Sequence, residues 1–239
     1  ELLGFYWGCY FVDENNGILV GGGCINNQTF YKTTNGGISW IKFEGNVPGS
    51  GLTDVILYDK NGLGYAVSSG LIWRTLNGGV TWEVFANSGT KVWQEELTHI
   101  NNSFLLPYSG IDCQGWGPDG GARFTTNNGL TWNDFNTGKN MFGSFLINQY
   151  EGWICGNDRS IYYTSDGGKN WESRNCGLDS GNYDDMWFID STNGWVVGNG
   201  VYKLSNPKQL ISRDTIYFDK VCLNDFQKDT LKINNLSFF

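Results

Sequence analysis

Chemistry in this chain would have to come mainly from carboxylates. Aspartate and glutamate total 24 against 16 lysines and arginines, and there is one histidine, His99. Three acids, Asp54, Glu96 and Asp185, stand at the entrance to an apolar strand in three copies of a repeated unit. Glu95 and Asp184 are their immediate neighbours, and two further copies carry Gly8 and Gly143 at the same position. Acids gathered at one rim would form a negative funnel able to attract cations, a basic peptide or sugar hydroxyls. Paired carboxylates are also what glycoside hydrolysis uses, one as general acid and one as base or nucleophile. A solvated loop with ordinary surface acids accounts for the same residues. Trp116, in a long loop, offers an aromatic face on which a sugar or peptide could stack.

Other chemistries fail on residue type or spacing. No Ser-His-Asp set can be built on His99, which reads as a structural or surface residue. The cysteines are Cys9, Cys24, Cys113, Cys155, Cys176 and Cys222, with no C-x-x-C pair, so neither a metal site nor a cofactor is expected. Disulfides such as Cys9–Cys24 or Cys155–Cys176 and free buried thiols both remain open. Gly21-Gly-Gly23 is not followed by Gly-Lys-Ser/Thr and is no phosphate loop. A net charge of −8 argues against a nucleic-acid partner. No run of about 18 apolar residues exists to span a membrane as a helix.

The elements that would position these acids follow from composition and repetition. With 34 glycines, 16% aromatics and 17% charged residues, the chain suits short strands joined by tight turns. Four boxes recur: Thr33-Thr-Asn35-Gly-Gly37-Ile-Ser-Trp40, Thr75-Leu-Asn77-Gly-Gly79-Val-Thr-Trp82, Thr125-Thr-Asn127-Asn-Gly129-Leu-Thr-Trp132 and Thr164-Ser-Asp166-Gly-Gly168-Lys-Asn-Trp171. Asn or Asp bonds its own following backbone, Gly supplies positive φ, and Trp brings a large apolar area to bury. The box is read as a folding device and not as catalytic. Before each box, one apolar strand ends in a polar turn and a second follows. Val55-Ile-Leu-Tyr-Asp59 with Gly62-Leu-Gly-Tyr-Ala-Val67 is one example, and Met186-Trp-Phe-Ile-Asp190 with Gly194-Trp-Val-Val-Gly198 opens a fifth copy without a box. Four short strands in roughly 40–50 residues is the period of a propeller blade. The expected fold is an all-β propeller with five visible blades, at about 5–45, 52–87, 94–136, 143–175 and 184–206.

The boxes resemble Asp-box (BNR) repeats. The fuller pattern, clearest from Gly152-Trp153 to Trp171, is similar to the photosystem II stability/assembly factor-like repeats, over about residues 5–205. The resemblance implies a propeller with each box on the hairpin between the third and fourth strands. Relatives of this kind are often extracytoplasmic parts of large secreted proteins. Asp-box propellers include sialidases and xyloglucan-degrading enzymes, but a sialidase site needs converging arginines. Arg74, Arg123, Arg159 and Arg174 fall away from the expected rim, and the fifth arginine is Arg213. Blade three departs from the pattern, with Asn128 in a glycine position, Arg123 where other blades carry Tyr31, Trp73 or Tyr162, and a long loop from Tyr108 to Gly121. Such propellers usually have more than five blades, so either the ring is small or one or two N-terminal blades lie outside this chain; the second is preferred.

Residues 209–239 read as two apolar strands, 214–222 and 229–239, around a polar turn. They resemble the opening of an immunoglobulin-like module; closing strands of the propeller are the alternative. The chain starts at Glu1 with no basic-then-apolar leader, as a mature protein or a fragment would. The functional expectation is a non-enzymatic, secreted or cell-surface binding or scaffolding module of a larger protein, with a protein or glycan ligand. A glycoside hydrolase using Asp54 and Asp185 is the alternative.

Overall fold

The computed structural model describes residues 5–22, 28–43, 51–89, 92–111, 119–175, 178–205 and 225–228. Blade one is β1 (Tyr6–Phe11), β2 (Gly17–Gly22), β3 (Gln28–Thr33) and β4 (Ile41–Phe43). Blade two is β5 (Leu52–Leu57), β6 (Gly64–Ser68), β7 (Leu71–Thr75) and β8 (Glu83–Asn87). Blade three has a split inner strand, β9 (Val92–Gln94) and β10 (Thr98–Ile100), then β11 (Ser103–Ile111), β12 (Gly121–Thr125) and β13 (Asn133–Asn136). Blade four is β14 (Met141–Leu146), β15 (Gly152–Gly156), β16 (Ser160–Thr164) and β17 (Glu172–Ser173). Blade five is β18 (Tyr183–Asp190), β19 (Asn193–Gly198), β20 (Val201–Ser205) and β21 (Asp225–Lys228). Each sheet is an antiparallel meander in chain order, and no helix occurs among the described residues.

Alternation decides what the blades bury. Along β5, Val55 and Leu57 point to blade one, while Tyr65, paired with Ile56, points to blade three. One apolar core fills each seam. Ile18, Val20 and Phe30 meet Leu52, Val55 and Trp73 between blades one and two. Tyr65 and Val67 meet Leu97 and Phe104 between blades two and three. Leu105 and Phe124 meet Met141 and Ile154 at the next seam, and Trp153 and Ile161 meet Met186 and Phe188 at the last.

The four boxes are hairpins between third and fourth strands, and their bonding repeats almost atom for atom. In blade one, Thr33 Oγ1 donates to Asn35 Oδ1 at 3.0 Å and accepts Gly37 N–H at 2.9 Å, while Asn35 Oδ1 takes Ser39 N–H at 2.9 Å. Blade four repeats this with Thr164, Asp166, Gly168 and Asn170. Two consecutive left-handed residues make the turn, such as Gly78 and Gly79 at φ of +66° and +87°. A Cβ on Gly78 would sit 1.9 Å from the carbonyl oxygen of Lys60, so glycine is required there. Blade three manages with Asn128 at φ +58°, its N–H donating to the Asn102 carbonyl at 2.8 Å. The box tryptophans are half-buried, less enclosed than a core position; Trp40 meets Phe11 of its own blade, whereas Trp82 and Trp171 lean on the preceding blade. Trp82 stacks on Phe30 at 4.9 Å and Trp171 on Phe135 at 5.2 Å.

Trp187 of β18 is 67% exposed and touches Phe145 edge-on. One sequence expectation changes, at the C-terminal end. The polar turn expected between the two C-terminal strands contains β21, which pairs with β20 as the outer strand of blade five. The strands read at 214–222 and 229–239 lie outside the described residues.

Candidate functional site: an acidic slot on the inner strands

The register places Gly8, Asp54, Gly143 and Asp185 at one equivalent position, opposite Val20, Val67, Cys155 and Val197. In each of these blades the inner strand bulges one residue earlier, at Trp7, Thr53, Phe142 and Asp184. Blade three reaches the slot differently. Its inner strand breaks at Glu95–Leu97, opposite Pro107, which has no N–H to return across the pair. Glu96 occupies that break.

The three slot acids therefore converge at the inner strands, close enough for the charge on Asp185 to act on both Asp54 and Glu96. Asp54 and Glu96 are half-buried, more enclosed than the exposed rim that the sequence suggested, whereas Asp185, on the open side of blade five, is exposed. Asp54 Oδ1 accepts the N–H of Val55 at 2.8 Å, and Oδ2 accepts the N–H of Leu97, in blade three, at 2.9 Å. Glu96 Oε2 accepts the N–H of Ser144, in blade four, at 2.5 Å. Asp185 Oδ1 accepts the N–H of Met186 at 2.6 Å. Where the slot holds glycine, the next blade presses against it: Cβ atoms on Gly8 and Gly143 would lie 2.7 Å from the Cα atoms of Asp54 and Asp185.

Burial in this crowded interior raises the carboxyl pKa values. Asp54 rises to about 6, through desolvation first, relieved by its two backbone donors and increased by Asp185. Glu96 is pushed well above the carboxylate range by burial and then by repulsion from Asp185 and Asp54. Asp185 is raised by burial, partly relieved by Met186 N–H. The buried thiol of Cys155 stands beside this group and is raised far above its usual value, which keeps it protonated and unreactive.

An aromatic pair accompanies the acids. Trp7 of β1 and Trp93 of β9 meet edge to face at 5.6 Å, joining blades one and three. Trp93 Nε1 donates to Glu95 Oε2 at 2.7 Å and Ser109 Oγ to Glu95 Oε1 at 2.7 Å, so Glu95 positions this pair. Sequence reading missed Trp7; its one signal was that it immediately precedes the slot residue Gly8. Trp116 lies outside the described residues, as do Cys24, Cys113, Cys176, Cys222 and Arg213.

The remaining candidates are structural. Arg123 is buried, donating to the Ser88 carbonyl and lying over the Tyr108 ring at 5.6 Å, so it clips blade three to blade two. Arg74 pairs with Glu83, Arg174 with Glu172, and Arg159 donates to the Leu178 carbonyl. His99 packs against Phe104 at 4.3 Å and bonds Tyr58 at 2.7 Å, and burial lowers its pKa. Among the described residues no three His, Cys, Asp or Glu side chains are placed to hold a metal ion.

The fold and its boxes define an Asp-box β-propeller. The family model described as BNR/Asp-box repeat matches residues 162–173, the box of blade four. Among solved structures, YCF48 from Cyanidioschyzon merolae is similar over 88% of this chain and 72% of its own, at 19% identity and TM-score 0.57. A GH74 enzyme of Niastella koreensis is similar over 80% of this chain at 14% identity and TM-score 0.60. The chain spans only 35% of that enzyme's length. The WD40 propeller domain of Doa1 matches over 84% of this chain and 64% of its own, at 10% identity and TM-score 0.63. No curated protein sequence matches the chain. At these identities the likeness is one of fold, and a propeller scaffold hosts unrelated activities.

Proposed function

We propose that the chain is a non-enzymatic binding and scaffolding propeller of a secreted or cell-surface protein, with a protein or glycan as ligand. The observation that carries this reading is how the inner acids are engaged. Both oxygens of Asp54 hold backbone N–H groups, and Glu96 holds one from the next blade. A glycosidase needs a carboxylic acid free to protonate the leaving oxygen and a second one facing it across the sugar. What remains available to a ligand is exposed Asp184 and Asp185 together with the outward part of the Trp7–Trp93 pair. Acids beside aromatic faces suit a basic peptide or a sugar ring. The extracellular placement rests on the resemblance of the repeats to those of secreted proteins.

One observation favours a hydrolase instead. Burial raises Asp54 to about 6 and pushes Glu96 well above the usual carboxylate range, the direction in which a general acid is tuned. A panel of glycans incubated with wild type, Asp54→Asn and Asp185→Asn separates the readings. The binding reading expects no cleavage by any of the three; cleavage by wild type that either substitution abolishes would overturn it.

A further inference from the structure

Seven Asn-Gly pairs occur in the chain, at 16–17, 35–36, 61–62, 77–78, 128–129, 193–194 and 199–200. In such a pair the glycine nitrogen, unshielded by a side chain, can attack the asparagine Cγ. Two things hold this reaction back in a fold: a hydrogen bond that occupies the glycine N–H, and bonds that pin the asparagine amide. Gly36 N–H donates to the Asn15 carbonyl at 2.9 Å, Gly78 N–H to that of Gly62 at 2.8 Å and Gly62 N–H to that of Asp59 at 3.2 Å. Gly129 N–H donates to Thr125 Oγ1 at 3.0 Å. The boxes also fix the amides of Asn35 and Asn77, through Ser39 and Thr81. The amides of Asn16 and Asn193 are pinned to Asp13 Oδ1 at 2.8 Å and to Asp190 Oδ1 at 3.0 Å.

Asn199–Gly200, the loop between β19 and β20, differs on both counts. Gly200 N–H has no acceptor, and Asn199 Nδ2 no partner, among the described residues. The one bond on this side chain favours attack: Asn182 N–H donates to Asn199 Oδ1 at 3.3 Å and so draws electrons away from Cγ. Asn199 N–H in turn donates to the Asn182 carbonyl at 3.0 Å and anchors the loop. Asn199 is exposed, so water reaches it.

We propose that Asn199–Gly200 is a self-modifying site, converted without an enzyme to aspartate and isoaspartate in the folded protein. The Gly200 nitrogen gives its proton to solvent base and bonds to Asn199 Cγ. The Cγ–Nδ2 bond breaks, Nδ2 leaves as ammonia, and a succinimide ring closes. Water then adds to one imide carbonyl, and the C–N bond there breaks. Opening at Cγ leaves an aspartate, and opening at the main-chain carbonyl leaves an isoaspartyl link. Nothing is oxidised or reduced; ammonia goes out and water comes in. Either product carries a new carboxylate. Gly198 pairs with Tyr183, so that charge arrives beside Asp184 and Asp185, at the open end of the slot. An isoaspartyl link also lengthens the loop where it grips Asn182. This reading is independent of the ligand proposed above.

The test is a timed incubation of residues 1–239 in mildly alkaline buffer, folded and in urea, followed by peptide mapping with isoaspartate-specific methylation. In the folded protein Asn199 is expected to convert several-fold faster than every other Asn-Gly pair, and an acidic form to appear on ion exchange at the same rate. In urea the pairs should convert at similar rates. Asn199→Gln should remove the acidic form. Conversion of Asn61, Asn35 or Asn77 as fast as that of Asn199 in the folded protein overturns the proposal. So does conversion of Asn199 only in urea, or an acidic form that persists in Asn199→Gln. An equal lead of Asn199 in urea also overturns it, because local sequence and not the fold would then set the rate.

Discussion

The carboxylate of Asp54 accepts the backbone N–H of Leu97 at 2.9 Å across the seam between blades two and three. Glu96 repeats the contact one seam further, on Ser144. An acid at this slot therefore ties inner strands together, and a glycine there lets the next strand approach. The slot is first a device for assembling blades. Only its open end, at Asp184 and Asp185, is left to meet anything else.

The proton balance of the slot predicts an unusual pH dependence. Folded Asp54 and Glu96 keep their protons to higher pH than unfolded carboxyls do. Between pH ~4 and ~6 the folded state thus binds more protons, and stability falls as pH rises through that window. At lower pH the sign reverses: Asp190, held at about 2 by Thr192 and Asn193, loses its stabilising bonds as it is protonated. Thermal unfolding should show its highest midpoint near pH ~4, where the two trends meet. Glu96→Gln, neutral throughout, should flatten the decline above that point, and an unchanged profile would remove Glu96 from the account.

The slot glycines should resist even one added methyl. Gly143→Ala would place Cβ 2.7 Å from the Asp185 Cα and 2.8 Å from Cys155 Sγ. The backbone contact cannot yield cheaply, so a loss of about 1–3 kcal/mol is expected in urea titrations. A variant as stable as wild type would show that the blades are less closely joined than described.

The box tryptophan should matter, but less than a fully buried one. Trp171 is half-buried and stacked on Phe135 at an interplanar angle of 11°. Trp171→Ala is expected to cost about 2–3 kcal/mol, below the range for fully buried aromatic truncations. A loss under about 0.5 kcal/mol would mean that the stacking does not hold the seam.

The blades were legible because each repeats a local rule. Thr, Asn or Asp, Gly and Trp at fixed spacing specify one hairpin, and inner-strand alternation specifies which face is buried. Slot equivalence of Asp54 and Asp185 was legible too, since it follows from aligning the strands. Glu96 aligned for a reason that the pattern did not contain, the strand break opposite Pro107. Whether the slot faced solvent was not legible, because it depends on how closely neighbouring inner strands pack. Trp187 shows the same limit: its counterpart Phe145 is covered, and only the absence of a packed neighbour among the described residues distinguishes them. β21 was hidden because Asp225–Lys228 is polar and short, and an outer strand needs little apolar burial.

The most direct test compares two acids at the same slot. Asp54→Ala leaves the N–H groups of Val55 and Leu97 without their acceptor, whereas Asp185→Ala frees only Met186 N–H. In urea titrations of residues 1–239, Asp54→Ala is expected to lose about 1–3 kcal/mol and Asp185→Ala under about 0.5 kcal/mol. Equal losses, or a stable Asp54→Ala, would contradict the claim that the inner acids tie each blade to the next.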